Sequence, residues 1–163
     1  MTDSQGSGSL FPPRRIYLAS SWRNPEQPVL VEMFRQLGHE VYDFRNPRPV
    51  DTGFAWSDID PDWLAWKPWP FRDALAHPVA QAGFDSDFDA MKWADTFVLA
   101  LPCGRSAHLE AGWAIGAGKP TALLLHEDKF EPELMYLMAD LIACDVSEVC
   151  DWLDLLSQQP VAA

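Results

Sequence analysis

Residues 96–125 constrain this chain more than any other stretch, because they read as one complete strand–helix–strand unit. Thr96-Phe-Val-Leu-Ala-Leu101 is a short, almost unbroken apolar run, closed by Pro102 and Gly104. A segment of helical character follows, and Gly118-Lys-Pro120 breaks it before a second apolar run over residues 120–125. A short run without polar alternation suits a strand buried on both faces. A helix between two such strands demands a right-handed crossover joining parallel neighbours.

The rest of the chain repeats that alternation. Residues 15–20 read as the first strand. Residues 26–37 carry Val29, Leu30, Met33, Phe34 and Leu37 at helical spacing, with Gly38 placed to end the helix. A second strand is predicted over 39–44, a helix over 132–138, a short last strand over 141–144 and a closing amphipathic helix over 146–156. The fold predicted is α/β, a flavodoxin-like three-layer sandwich with a five-stranded parallel sheet in the order 2-1-3-4-5.

One insertion interrupts the pattern. Residues 45–82 hold six of the fourteen prolines and four of the eight tryptophans, Trp56, Trp63, Trp66 and Trp69. Disordered segments are poor in aromatics, so a partly helical flap held down by tryptophans is expected, covering either a ligand pocket or a sheet edge. The organisation predicted is a mobile tail at 1–13, a single domain at 14–157 and a short tail at 158–163.

Composition removes several function classes. A formal charge of −12 over 163 residues argues against a nucleic-acid polymer as partner. An anion held by this protein must be gripped locally. Its three cysteines, Cys103, Cys144 and Cys150, have neither a CxxC pair nor a zinc spacing. A reduced cytoplasmic setting, no metal and no cofactor are therefore expected. No apolar run approaches the ~20 residues of a membrane span, and no signal-peptide core stands at the N-terminus.

Glu110 is the leading candidate for chemistry. Ser106 suits a helix N-cap, which would put Glu110 about one turn into the helix, near the positive end of its dipole. Ligands of open α/β sheets bind at the carboxyl ends of the strands, where this helix begins. The alternative is a solvated glutamate that only favours the helix. Cys103 stands beside it as either a nucleophile or a small buried residue at a strand end.

Three separated segments together resemble the nucleoside 2-deoxyribosyltransferase-like family, nearest its branch of (deoxy)nucleoside 5′-monophosphate N-glycosidases. They are Ile16-Tyr-Leu-Ala-Ser-Ser-Trp-Arg-Asn24, Asp87-Phe-Asp-Ala-Met-Lys-Trp-Ala-Asp95 and Glu110-Ala-Gly-Trp-Ala-Ile-Gly-Ala-Gly-Lys-Pro120. The resemblance implies cleavage or transfer of an N-glycosidic bond, with Glu110 as the nucleophile that traps the cationic sugar. It implies Asp87 as the acid that protonates the departing base, with Asp85 and Asp89 as neighbours easily confused with it. Tyr17 would orient Glu110, or else pack as an ordinary core aromatic. Ser20, Ser21 and Arg23 would hold a 5′-phosphate, completed by Gly104, Arg105 and Ser106 at the helix N-terminus. The other role open to Arg23 is a salt bridge to a surface acid.

Two positions depart from the family pattern. Gly104 stands where an acidic residue or serine is usual, and His108 where glycine is usual. His108 would reshape the pocket, bind phosphate or assist the leaving base, or it packs as a helix residue. The partner implied is a small-molecule nucleotide or nucleoside, with no membrane, in a homodimer or higher homo-oligomer. Alternatives are a TIR-like NAD glycohydrolase, a non-catalytic nucleotide-binding sensor and a structural or interaction protein.

Overall fold

The computed structural model describes residues 12–47, 53–129 and 131–158. Most of the two predicted tails, and residues 48–52 of the insertion, lie outside them. In chain order the elements are β1 (Arg15–Ala19), α1 (Gln27–Gln36), β2 (Glu40–Tyr42), α2 (Pro68–Ala74), α3 (Pro78–Trp93), β3 (Thr96–Ala100), α4 (Arg105–Gly116), β4 (Thr121–Leu124), β5 (Leu141–Ala143) and α5 (Val146–Ser157). They divide into two compact units, one holding the chain up to Tyr42 and from Ala94 onward, the other Asp43–Trp93.

The first unit is an all-parallel five-stranded sheet in the order β2-β1-β3-β4-β5, as predicted. Alternate side chains of each strand face opposite layers. Ile16, Leu18, Val98 and Ala100 pack with Leu30, Val31 and Phe34 of α1 and with Val149 and Leu153 of α5. The other face carries Tyr17 stacked on Tyr42 and on Phe97, whose ring also meets Trp113 of α4. Helices on both faces make the three layers. Burial of each large apolar side chain stabilises by ~1.5–3 kcal/mol, so β3, buried along its whole length, anchors the sheet.

Glycine ends two of these helices in the same way. At Gly38 (φ +93°) the His39 N–H reaches the Phe34 carbonyl at 3.1 Å, and the Gly38 N–H reaches Arg35 at 2.9 Å. At Gly118 (φ +71°) the matching bonds run from Lys119 to Ala114 and from Gly118 to Ile115, both at 3.0 Å. A left-handed residue is needed at each stop, which only glycine adopts without penalty. Asp95 then ties the strand starts together. Its carboxylate accepts from the Arg15 backbone N–H at 3.2 Å and from Arg15 Nε at 3.1 Å.

Residues 132–138 differ from expectation, forming a 3-10 turn over Leu134–Met138 instead of an α-helix. Its bonds are of the three-residue kind, from the Tyr136 N–H to the Glu133 carbonyl at 3.2 Å and from the Ala139 N–H to the Tyr136 carbonyl at 3.0 Å. Just downstream Asp140 is pinned to Thr121 by its own N–H at 2.9 Å and by its carboxylate at 2.8 Å, so that Leu141 can begin β5. No helix of the described residues is long and apolar enough to cross a membrane.

The second unit contains the proline- and tryptophan-rich insertion and continues through α3. Trp56 lies edge-on to Phe54, Trp66 and Phe71, with ring centroids 4.8, 5.5 and 5.7 Å away. The Trp66 indole donates to the Asp60 carboxylate at 2.5 Å. Phe54 also packs on α3 at Gly83, where an added Cβ would lie 2.8 Å from the Phe54 Cβ. The aromatics thus form a half-buried cluster of ring contacts within the described part of this proline-rich stretch.

His39 couples the first unit to pH. Its Nδ1 accepts the Arg14 backbone N–H at 3.2 Å, and burial lowers its pKa below the ordinary 6.5. The folded state therefore favours the neutral ring, a contribution present above the unfolded pKa and lost as pH falls below it toward the lower folded value. Urea unfolding should show stability declining on going from pH 7 to 5. His39→Asn, which keeps an acceptor near Nδ1, should lose that part of the slope; an unchanged slope would show that other groups cause it.

Candidate active site

The carboxyl edge of the first unit collects most of the residues singled out in the sequence. Directly after β1 the chain turns through Ser20, Ser21, Trp22 and Arg23. The Ser20 hydroxyl donates to the Ala100 carbonyl at 2.9 Å, so its single proton is engaged within the protein. Ser21 Oγ accepts the Arg23 N–H at 3.1 Å and shapes the turn. Arg23 itself is exposed, and its guanidinium has no ion pair among the described residues.

Asn24, to which the sequence reading assigns no role, is the fully buried member of this loop. Its Nδ2 donates to Ser20 Oγ at 3.0 Å and to the Leu101 carbonyl at 3.2 Å, while its Oδ1 accepts the Glu26 N–H at 3.0 Å. An asparagine next to an arginine in a loop has no periodic signature. Its partner across the sheet, the Leu101 carbonyl, lies more than seventy residues away, and no local pattern marks it.

The helix bearing Glu110 starts earlier than expected. Gly104 is the N-cap, with extended backbone and no side-chain cap, and Arg105 and Ser106 form the first turn. Ala107, Ala111 and Ala114 are the buried face of α4, and seating these small residues on the sheet sets the helix register. Glu110 consequently lies beyond the first turn, where the helix dipole has largely faded. It is half-buried and close enough to Cys103 to affect that thiol.

His108 is occupied at both nitrogens. Its Nδ1 lies 2.9 Å from the Gly104 carbonyl, and its Nε2 lies 3.0 Å from the Tyr136 hydroxyl. A carbonyl only accepts, so the neutral ring carries its proton on Nδ1 and takes the Tyr136 proton at Nε2. Cys103 Sγ is 3.5 Å from the same Nδ1, which is then no base for it. Burial first, and the Glu110 charge second, push the Cys103 thiol up to about 12. Both effects favour the reading of Cys103 as the small residue at a strand end. Tyr136, hidden in a segment read as a helix, joins Cys103, His108, Glu131 and Glu133 in lining a cleft of about 520 Å³.

Tyr17 is 1% exposed and stacks between Tyr42 at 5.4 Å and Phe97 at 5.0 Å. Asp87 belongs to the second unit. There it lines a cavity of about 220 Å³ with Phe44, Phe54, Asp58 and Ser86. Its two acidic neighbours differ from it, since Asp85 is exposed and Asp89 pairs with Lys92 at 2.6 Å on the surface. Of the three, Asp87 is the carboxylate set in a pocket.

An open parallel sheet with both β1 and β3 loops at its switch point defines the class: a flavodoxin-like α/β protein with a ligand edge. No family model matches the chain, and no curated protein matches it. Among solved structures, a 2-deoxyribosyltransferase from Bacillus psychrosaccharolyticus is similar, with a TM-score of 0.56 at 21% identity, over 82% of this chain and 88% of that one. A CMP N-glycosidase of Clostridium botulinum aligns with a TM-score of 0.45 at 20% identity, over 86% of this chain and 96% of that one. At such identity the first likeness is one of fold, and this chain has the fold of that deoxyribosyltransferase.

The thiol assignment is testable by mass spectrometry. With iodoacetamide at pH 8, the exposed Cys144 should be alkylated well before Cys103, which holds almost no thiolate at that pH. Glu110→Gln removes one of the two causes of the shift and should speed Cys103 labelling. Labelling of Cys103 as fast as Cys144 would overturn the assignment.

Proposed function

We propose that the protein hydrolyses or transfers the N-glycosidic bond of a nucleoside 5′-monophosphate, with Glu110 as nucleophile. The observation that carries this reading is Arg23. It is an arginine without an ion-pair partner among the described residues, in a turn at the carboxyl edge of a deoxyribosyltransferase-like fold. Asn24 ties that turn to the strand end from which the Glu110 helix departs. On a chain of net charge −12, a cation left unpaired at the ligand edge suits an anionic substrate group.

The chemistry follows from charge. Breaking the bond between sugar and base builds positive charge on the sugar. Glu110 attacks the anomeric carbon, the C–N bond breaks, and the bonding pair leaves with the base. Asp87 keeps the role that the family resemblance implies, delivering a proton to that base. Water or a second base then attacks the glycosyl–Glu110 ester and releases the carboxylate. Tyr17 is the orienting group for Glu110 in the same reading. Arg105 and the Ser106 hydroxyl, in the exposed first turn of α4, join Arg23 on the phosphate together with the Ser21 loop. The Ser20 proton is already engaged, so Ser20 shapes the loop. A homo-oligomer belongs to this reading too, supported by Leu134, Met135, Leu137 and Met138, which turn outward from one short segment.

Incubation with a panel of nucleoside monophosphates and free nucleosides, reading released bases by chromatography, tests the activity. Glu110→Gln should lower turnover by several orders of magnitude while ligand binding survives. Activity within a few-fold of wild type would remove Glu110 from the mechanism.

Arg23→Ala reports on the phosphate. A charge-assisted hydrogen bond contributes ~1.5–3 kcal/mol, so monophosphate use should weaken roughly ten- to hundred-fold through KM. Use of the unphosphorylated nucleoside should change little. Equal loss on both substrates would argue for a nucleoside enzyme instead.

A further inference from the structure

We propose that Asn24 is a positioning residue that sets the spacing between the Arg23 turn and the start of the Glu110 helix. Reaction of a monophosphate then depends on this carboxamide even though it need not touch substrate. The geometric half of the proposal stands on the structure alone; the kinetic half rests on the function proposed above.

The β1–β3 ladder closes at the pair Ala19 and Leu99. Beyond it the Ala100 and Leu101 carbonyls face the β1 side with no strand to bond them. Two side chains take over. The Ser20 hydroxyl donates to Ala100 at 2.9 Å, and Asn24 Nδ2 donates to Leu101 at 3.2 Å, with Ala100 a longer third neighbour at 3.5 Å. The same Nδ2 also donates to Ser20 Oγ at 3.0 Å, closing a small ring across the switch point. On its other side Asn24 holds its own loop, through Oδ1 to the Glu26 N–H at 3.0 Å and through its backbone N–H to the Ser21 carbonyl at 3.0 Å.

Asparagine is the residue type this ring requires. Its amide donates one hydrogen to the Leu101 carbonyl and the other to the Ser20 hydroxyl, and its oxygen accepts one from the loop, within a fully buried space. Aspartate would keep the acceptor but turn an oxygen toward two carbonyls and a hydroxyl. Glutamine would need room for another methylene, and alanine would leave buried carbonyls unsatisfied.

The clamp lies between the two groups that matter. Arg23 is the preceding residue, and Leu101 is followed by Pro102, Cys103 and the Gly104 cap of α4. Releasing it lets the turn that grips phosphate shift against the helix that carries the nucleophile. A misplacement of about 1 Å can cost ~100-fold in rate. A free nucleoside, which Arg23 does not hold, is not dragged out of register by such a shift.

Two readouts test this on the full chain with Asn24→Asp and Asn24→Ala. Hydrogen exchange needs no activity. Amides of residues 21–24 and of Cys103 and Gly104 should speed up together, at least ten-fold, while β3 and α5 stay protected. Acceleration in only one loop, or throughout the protein, overturns the clamp, as does wild-type behaviour of Asn24→Asp. In kinetics, kcat for the monophosphate should fall ten- to hundred-fold with KM within a few-fold, the opposite split from Arg23→Ala, and the nucleoside should be spared. Equal loss of kcat on both substrates overturns the positioning role. If the wild type cleaves neither substrate, the proposed function fails, and the exchange result still decides the clamp. Should both variants fail to fold, Ser20→Ala decides it: removing the shared hydroxyl must loosen both loops, and unchanged exchange at Cys103 and Gly104 refutes it.

Discussion

The pairing of β1 with β3 is the constraint on which the rest of the first unit depends. These strands meet at the centre of the sheet, and from them the chain departs in opposite directions, toward β2 after one and toward β4 after the other. Both are buried on both faces apart from Arg15, so their register is strongly specified by packing. Asp95 locks the amino ends of the pair through Arg15, and the Ser20–Asn24 ring locks the carboxyl ends. Between those locks the backbone has little freedom. The loops that follow inherit their positions from it.

That inheritance bears on the local anion grip proposed for this acidic chain. The overall field repels a phosphate, so selectivity has to come from short-range donors held at fixed positions. Arg23 lies beside a buried anchor, and α4 begins four residues after Leu101, which that anchor also holds. The polar groups nearby are engaged in structure: Ser20 on Ala100, His108 on Gly104 and Tyr136. Arg23 differs from them in having its charge unclaimed by any acid among the described residues.

The two cysteine readings show how neighbours decide chemistry. A thiol 3.5 Å from an imidazole suggests an activated pair. Yet the carbonyl of Gly104 dictates which ring nitrogen carries the proton, and burial beside Glu110 raises the thiol further. The Glu110 charge that discourages a thiolate at Cys103 is the one the proposed mechanism assigns to nucleophilic attack.

Strands, their order and the glycine stops were legible in the sequence because each depends on local periodicity or on a conformation that one residue type favours. Val98 and Leu99 announce a buried strand, and Gly38 and Gly118 announce helix ends, whatever surrounds them. The start of α4 was not legible, because Ala107, Ala111 and Ala114 set its register by fitting the sheet, with Gly104 and not Ser106 at the cap. Nor was the short turn over Leu134–Met138, which comes just before the distant pairing of Asp140 with Thr121. Glu110 and Asp87 could be singled out by resemblance, but the contrast of Asp87 with Asp85 and Asp89 comes from the packing of the second unit. Asn24 and Tyr136 were invisible, since each matters through partners far along the chain. The sequence by itself determined the parallel α/β sheet and its crossovers, through periodicity and turn chemistry. Only the tertiary structure decided which polar groups are already engaged and which remain open to a ligand, because hydrogen-bond partners are assigned by proximity in space.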